Sequence, residues 1–189
     1  MIIGITGPKG AGKSSVLIRL AEFLSGHGFS LGGIISQRHV RNGSRVGYVL
    51  RTVADHGVLP LATIPDPHTG GPVSQPGMRH YARFLFHEDA LARGNQAIEA
   101  GLDADCLFVD EIGLWETHGG GWHLQMPRIA GRQGLTLLGL SLKVIPHLVP
   151  LWGIDLDHLF TLAENSIEAH FRQIVMEVLM GPVIPVRTG

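Results

Sequence analysis

The amino-acid sequence predicts an α/β protein with a mostly parallel sheet and helices on both faces of that sheet. Three observations support this class. Short apolar runs alternate with stretches of helical spacing, 26 glycines and 11 prolines indicate many tight turns, and 44% of the residues are hydrophobic. A chain of 189 residues suits one domain. We therefore expect a single domain over residues 1–189.

The first third of the chain contains a strand, a helix and a group of further strands. Apolar residues between Ser14 and Leu24 recur at the spacing of an amphipathic helix, and Gly26 and Gly28 follow it. Asn42-Gly43 is a strong signal for a tight turn between two antiparallel strands. We predict strands over residues 1–6, 30–36, 46–53 and 59–64.

The rest of the chain alternates again between helical and strand patterns. Residues 65–77 contain seven prolines and glycines among thirteen residues, which predicts a loop. The stretch 117–121 also has the composition of a loop. We predict helices over residues 87–100, 124–133 and 166–180, the last with a cap at Asn165 or Ser166. We predict strands over residues 106–109, 135–142 and 159–162.

Composition excludes several classes of function. Fifteen basic and sixteen acidic side chains give a net charge of −1, so no general positive field attracts nucleic acid, and we expect no nucleic-acid partner. A single cysteine excludes an internal disulfide. Residues 135–154 are apolar, but Lys143, Pro146 and Pro150 favour a buried strand with a connection over a membrane helix. The first six residues are too few for a signal-peptide core, and we expect a cytoplasmic protein.

Residues 7–14 match the phosphate-loop pattern G-x-x-x-x-G-K-[ST], with a strand before them and a helix after them. Glycines allow backbone N–H groups to surround phosphate oxygens, and the helix N-terminus adds a partial positive charge. We expect Lys13 to reach the β- and γ-phosphates and the Ser14 hydroxyl to bind Mg²⁺. The predicted nucleotide-binding residues are Gly7, Pro8, Lys9, Gly10, Ala11, Gly12, Lys13, Ser14 and Ser15.

A second acidic motif follows the apolar strand that begins at Cys106. The strand is expected to end at Asp110, which would hold the Mg²⁺ through a water molecule. Glu111 would orient and deprotonate the attacking water. At the carboxyl end of a strand both side chains can reach the same crevice, although successive side chains normally point to opposite faces. Glu111 and Lys13 are therefore the predicted catalytic residues.

Three segments together resemble a known family, the small P-loop nucleoside-triphosphatases related to the thermophilic enzyme of that type. These segments are residues 7–14, the hairpin region 32–48, and residues 109–116 with their Asp-Glu-Ile-Gly sequence. The resemblance extends over roughly residues 1–165. It implies a three-layer, RecA-like fold and Mg²⁺-dependent hydrolysis of nucleoside triphosphates, such as ATP or GTP, to diphosphate and phosphate, with loose base selectivity.

Two other functions fit parts of the sequence. Residues 2–33 also resemble nucleotide-binding adaptors of molybdopterin-dinucleotide synthesis or metal delivery, which turn over little nucleotide. A nucleotide kinase is a further alternative, because Arg79, Arg83 and Arg93 lie beside the predicted loop where a lid is needed. The sequence assigns neither a preferred base nor a protein partner.

Several side chains have weaker functional indications. Arg38, Arg41 and Arg45 lie on the predicted hairpin, where one of them could reach the γ-phosphate, but spacing alone does not choose among them. Trp115 and Trp122 flank the glycine run; either ring could stack on a base or pack in the core.

Overall fold

A computed structural model describes residues 1–65, 76–163 and 167–180 of the chain. Within these ranges nine strands form one sheet: β1 (Ile2–Thr6), β2 (Leu31–Arg41), β3 (Ser44–Thr52), β4 (Val58–Thr63), β5 (Met78–Tyr81), β6 (Phe84–His87), β7 (Cys106–Ile112), β8 (Leu135–Leu140) and β9 (His158–Thr161). The α-helices are α1 (Lys13–Gly26), α2 (Glu88–Ala100), α3 (Leu114–Thr117), α4 (Met126–Ala130), α5 (Leu148–Trp152) and α6 (Ile167–Met180). Two short 3₁₀ turns precede α4 and α5.

The sheet has a parallel half and an antiparallel half. Its order is β5-β6-β4-β3-β2-β7-β8-β1-β9, and the five strands from β2 to β9 in this order are parallel to their neighbours. The strands β3, β4, β6 and β5 extend the sheet beyond β2 in antiparallel pairs. β4 and β5 thus run in the direction of the parallel strands, and the predicted fold class is confirmed.

Alternating side chains of the central strands enter two separate cores. In β7, Leu107 and Val109 pack on one face with α2, α4 and α5, whereas Phe108 packs on the other face with α1 and α6. The same alternation in β1 sends Ile2 to one core and Ile3 to the other. Because both faces are covered by helices, these strands consist almost entirely of apolar residues.

The β2–β3 hairpin was predicted from its turn and is longer than expected. Asn42 and Gly43 both have positive φ, 50° and 74°. A two-residue type I′ hairpin turn, whose twist matches that of the flanking strands, requires positive φ at both positions. β2 continues to Arg41 because its second half, which extends past its pairing with β7, pairs with β3. The hairpin therefore extends the sheet past the carboxyl end of β1.

A second hairpin was not predicted. β5 and β6 are four residues each, and the segment between them turns at Ala82, which has φ of 52°. Strands this short carry little periodicity, so the sequence indicated a loop to residue 77 and then a helix from residue 87. Residues 66–75 of that predicted loop, and the predicted cap at Asn165 and Ser166, lie outside the described residues.

The apolar stretch of residues 135–154 forms β8, a 3₁₀ turn at Ile145–His147 and the five-residue helix α5. In the part of the chain that the structure describes, none of the helices has the length and apolar character needed to cross a membrane. The predicted strand plus connection is confirmed.

A buried glutamate holds the glycine-rich segment that follows α3. Glu116 accepts hydrogen bonds from the backbone N–H of Gly113 at 2.7 Å and of Trp122 at 3.4 Å. A Cβ on Gly121 would overlap the Glu116 carboxylate, and a Cβ on Gly120 would overlap the Trp115 indole, so this close packing requires glycine at both positions. Burial raises the pKa of the Glu116 carboxyl from 4.5 to about 7.

This raised pKa makes the stability of the protein depend on pH. The unfolded chain releases the Glu116 proton near pH 4.5 and the folded protein only near pH 7, so the contribution of this group to stability is lost as pH rises between the two. Glu116→Gln removes the titration. The free energy of unfolding of the variant, minus that of wild type, should increase from about pH 5 to about pH 8 by on the order of 1–3 kcal/mol.

Urea unfolding of both proteins at the two pH values measures this difference. Glu22→Gln, an exposed substitution on α1, is the control and should give the same difference at both. If the difference for Glu116→Gln is also constant, the carboxyl does not titrate in this range.

Candidate active site

The loop between β1 and α1 has a backbone that only glycine adopts easily. Gly7 has φ of 145°, and a Cβ there would lie 2.7 Å from the carbonyl oxygen of Leu162, which directly follows β9. Gly12, with φ of 93°, is the N-cap of α1. The two glycines allow the chain to turn from the buried strand directly into the helix.

The N-terminus of α1 is suited to bind an anion. Its first turn contains no acidic residue, and the glycine at the N-cap has no side chain to accept the first N–H groups. The Lys13 ammonium folds back over the loop and donates to the carbonyl oxygen of Gly7 at 3.4 Å. Unpaired N–H groups and a lysine therefore surround the same space.

A cavity of about 200 Å³ opens at this helix terminus. Its lining residues are Gly10, Gly12, Lys13, Ser14, Ser15, Ile18, Gln37, Arg38 and Glu111. We call it the phosphate cavity. Six of the predicted site residues line it. The other loop residues, Gly7, Pro8, Lys9 and Ala11, shape the loop but do not line the cavity.

Asp110 lies fully buried beside the phosphate cavity. Its carboxylate accepts hydrogen bonds from the backbone N–H of Ser36 at 3.2 Å and of Glu111 at 2.8 Å, and from the Ser14 hydroxyl. Gly139 of β8 faces it, where any Cβ would overlap the carboxylate. Burial, and then the nearby charge of Glu111, raise the pKa of Asp110 to about 7.

The Ser14 and Asp110 oxygens fit a magnesium site. Mg²⁺ prefers hard oxygen ligands and keeps several waters, so it is bound through one or two protein groups plus phosphate oxygens. A buried carboxylate in contact with the hydroxyl at the start of α1 supplies such a pair. Within residues 1–65, 76–163 and 167–180, no group of three or more His, Cys, Asp or Glu side chains could hold a metal by itself.

Glu111 reaches the phosphate cavity through an irregularity in β7. The strand does not end at Asp110, as predicted, but continues to Ile112, which pairs with Leu140. Between Val109 and Ile112 the register shifts, and Glu111 has φ of 64°, a strained conformation for a residue with a side chain. This bulge leaves Asp110 buried and exposes Glu111 next to it.

Arg38 is a site residue that the sequence did not single out among the hairpin arginines. Its guanidinium lies against the phosphate loop, with Nη2 3.1 Å from the place that a Cβ of Gly10 would take. Arg45 instead donates to the Tyr48 hydroxyl at 3.1 Å, and Arg41 ends β2 in solvent. Arg45 also lies near the loop residue Lys9, but Arg38 is the hairpin arginine that lines the phosphate cavity among the described residues.

The positive side chains around the phosphate loop lie close enough to change the pKa of Lys9. The pKa of Lys9 is lowered by desolvation and by the neighbouring charges of Arg45 and Arg38, while Glu111 acts in the opposite direction. Lys9 is exposed and does not line the phosphate cavity.

The three arginines considered for a kinase lid lie elsewhere. Arg79 is 3.8 Å from Glu88, Arg93 forms an ion pair with Asp55, and Arg83 lies over the Phe84 ring. These three arginines do not line the phosphate cavity.

Curated proteins with similar sequences include a nucleoside-triphosphatase and an accessory protein. The chain is 36% identical to the nucleoside-triphosphatase THEP1 of Methanothermobacter thermautotrophicus over 117 residues, which are 61% of this chain and 62% of the relative. It is 37% identical to the urease accessory protein UreG of Ureaplasma parvum over 71 residues, 38% of this chain and 32% of the relative. The chain thus spans about three fifths of the length of the THEP1 relatives.

Solved structures share the fold. The solution structure of a human cancer-related nucleoside triphosphatase superimposes with a TM-score of 0.68 at 18% identity, covering 93% of this chain and 96% of the other. This likeness confirms the predicted three-layer, RecA-like arrangement. A sequence model described as NTPase matches residues 2–137, which include the phosphate loop, Asp110 and Glu111, and the chain therefore belongs to this family of small P-loop nucleoside-triphosphatases.

Proposed function

We propose that this protein is a Mg²⁺-dependent nucleoside-triphosphatase that hydrolyses ATP, GTP and related triphosphates to diphosphate and phosphate. The observation that carries the proposal is the convergence of Lys13, Arg38 and the exposed Glu111 carboxylate on one cavity at the N-terminus of α1. Membership of the family and the name of the THEP1 relatives support the same activity. Loose base selectivity is part of this proposal, since the residues that carry it would contact the phosphates and not the base.

Each group at the phosphate cavity has a role in this proposal. Backbone N–H groups of residues 10–14 would hold the phosphates, and Lys13 would neutralise charge on the β- and γ-phosphates. Ser14 and Asp110 would hold Mg²⁺, which would neutralise further negative charge of the phosphates. The hydrogen bonds that the buried Asp110 carboxylate accepts from Ser36, Glu111 and Ser14 fix its orientation.

Glu111 is the proposed general base. Its carboxylate is exposed to the phosphate cavity, so it can accept a hydrogen bond from a water molecule there. That water would attack the γ-phosphorus in line with the bond to the bridging oxygen of the β-phosphate, which breaks. The proton of the water passes to Glu111, and the diphosphate leaves with the broken bond's electron pair.

Arg38 is proposed to stabilise charge on the γ-phosphate as it is transferred. It comes from β2 of the same chain and already lies against the phosphate loop. A guanidinium with several N–H donors suits the equatorial oxygens of this group.

A second candidate function is a nucleotide-binding adaptor with little turnover. The sequence similarity to UreG, an accessory protein, favours it. The same loop and metal groups would bind the nucleotide, but the rate of hydrolysis would be negligible, and Glu111 would then have no catalytic role.

Glu111→Gln distinguishes the two functions. Phosphate release is measured with Mg²⁺ and each of ATP, GTP, CTP and UTP. Wild type should turn over several of them, and the variant should bind them but lose at least about 10²-fold in kcat, the usual scale for a general base. Glu22→Gln, exposed on α1, is the matched control and should keep the wild-type rate. Tight binding of one nucleotide without release, unchanged in Glu111→Gln, would establish the adaptor instead.

Arg38→Ala tests the assignment of the hairpin arginine. Loss of the guanidinium beside the γ-phosphate should lower kcat by at least about 10²-fold, somewhat less than the effect of an arginine finger supplied by a partner. Arg41→Ala removes the same charge from the same strand outside the cavity and should change kcat less than twofold, since no contact to phosphate is lost. Equal rates for the two variants would show that only the general charge of the hairpin matters.

A further inference from the structure

A second cavity lies on the other side of Glu111. Its volume is about 180 Å³, and its walls come from β2, β3, β4, the β5–β6 hairpin, the end of β7 and the segment after it. Glu111 lines both this cavity and the phosphate cavity. We call it the aromatic cavity, because five rings that contact one another form much of its wall: Tyr48, Tyr81, Phe84, Phe86 and Trp115.

The rings form a continuous chain. Trp115 stacks on Tyr81 with centroids 5.1 Å apart and 18° between the planes, and it touches Phe86 at 4.4 Å. Phe86 meets Phe84 at 6.0 Å, and Phe84 meets Tyr48 at 5.5 Å. Trp122 also lines this cavity but is 3% exposed and packs against Gly94, so it belongs to the core.

One polar atom in this wall has no partner. The Ser36 hydroxyl is buried, with the residue 1% exposed, and it makes no hydrogen bond within the part of the chain that the structure describes. A buried hydroxyl left without a partner is costly, and such groups in native proteins usually have a function. Ser36 lines the aromatic cavity, where a ligand could supply the missing partner.

We propose that the aromatic cavity is a binding site for an uncharged compound with one aromatic ring and a hydroxyl group. Aromatic walls favour a flat ring, and the space exceeds the apolar cavity of about 150 Å³ that holds benzene in an engineered lysozyme. Among the described lining residues, Glu111 and Glu116 are the acids, and they oppose an anionic ligand. The Arg45 guanidinium already lies over the Tyr48 and Phe84 rings, which opposes a cationic ligand, and the ligand is therefore uncharged. The hydroxyl group of the ligand forms a hydrogen bond with the Ser36 hydroxyl.

The position of the site links it to the phosphate cavity. A bound ring lies beside Glu111, so it is placed to change how that carboxylate is positioned. This consequence depends on the proposed hydrolase function, whereas binding itself does not. Binding can therefore be measured without hydrolysis.

Fluorine NMR with 4-fluorophenol tests the site on the full chain, and fluorobenzene is the probe without a hydroxyl. Saturable binding of 4-fluorophenol is expected with a dissociation constant on the order of 1 mM. Ser36→Ala should weaken it roughly fivefold, the effect of one hydrogen bond, and leave fluorobenzene unchanged. Ser25→Ala, exposed on α1, is the control and should have no effect.

A second variant fills the cavity. Leu114→Trp adds a ring to the lining and should abolish binding of both probes while the protein keeps its melting transition. Failure of 4-fluorophenol to saturate, or equal affinities in wild type and both variants, would overturn the proposal. Displacement of the probe by a non-hydrolysable triphosphate would also overturn it, because the cavity would then be the base pocket of the nucleotide.

Discussion

A carboxylate buried between strands is the constraint on which the site depends. Asp110 accepts hydrogen bonds from β2, from its own strand and from the first turn of α1, so it ties together three elements that are distant in sequence. Burying a carboxylate is costly unless such bonds compensate for the lost water. The three donors, with Gly139 leaving room opposite, make this placement possible. They also bring Ser14 into contact with Asp110, which places two oxygen atoms together where the proposed Mg²⁺ would bind.

The bulge at Glu111 separates two neighbouring acids into different environments. In a regular strand, alternation would direct the second side chain to the opposite face of the sheet. The left-handed conformation of Glu111 keeps it at the edge of the phosphate cavity, while Asp110 stays buried. Two adjacent carboxylates can therefore take different tasks, one near the metal and the other near water. The strain at Glu111 is stored where the chemistry is proposed, as is common at active sites.

The sequence predicted the features that depend on local patterns. Residues 7–14 carry their function in a contiguous motif, and Asn42-Gly43 specifies its own turn, so both could be recognised without a structure. The choice of Arg38 could not, since it depends on the register of β2 with its neighbouring strands β3 and β7. The bulge in β7 follows from pairing with β8, which is a non-local contact.

The aromatic cavity was beyond sequence reasoning for the same reason. Several of its rings come from β5 and β6, which are too short to show the alternating pattern of a strand. The stacking of Trp115 on Tyr81 could not be inferred from the positions of these residues in the sequence. The glycine run at residues 119–121 indicated a loop, but its cause is the close packing of Trp115 and Glu116 against Gly120 and Gly121. Spatial neighbours of this kind are set by the tertiary fold, not by spacing along the chain.

Titration calorimetry of a non-hydrolysable ATP analogue, with and without Mg²⁺, tests the central role of Asp110 most directly. Wild type should bind the analogue more tightly when Mg²⁺ is added. In Asp110→Asn, which keeps the shape of the side chain but removes its charge, the gain from Mg²⁺ should fall by about 10–100-fold, the usual effect of losing a group that supports a bound metal. An unchanged Mg²⁺ effect in a folded Asp110→Asn protein would contradict the account, because the buried carboxylate would then have no part in holding the ion.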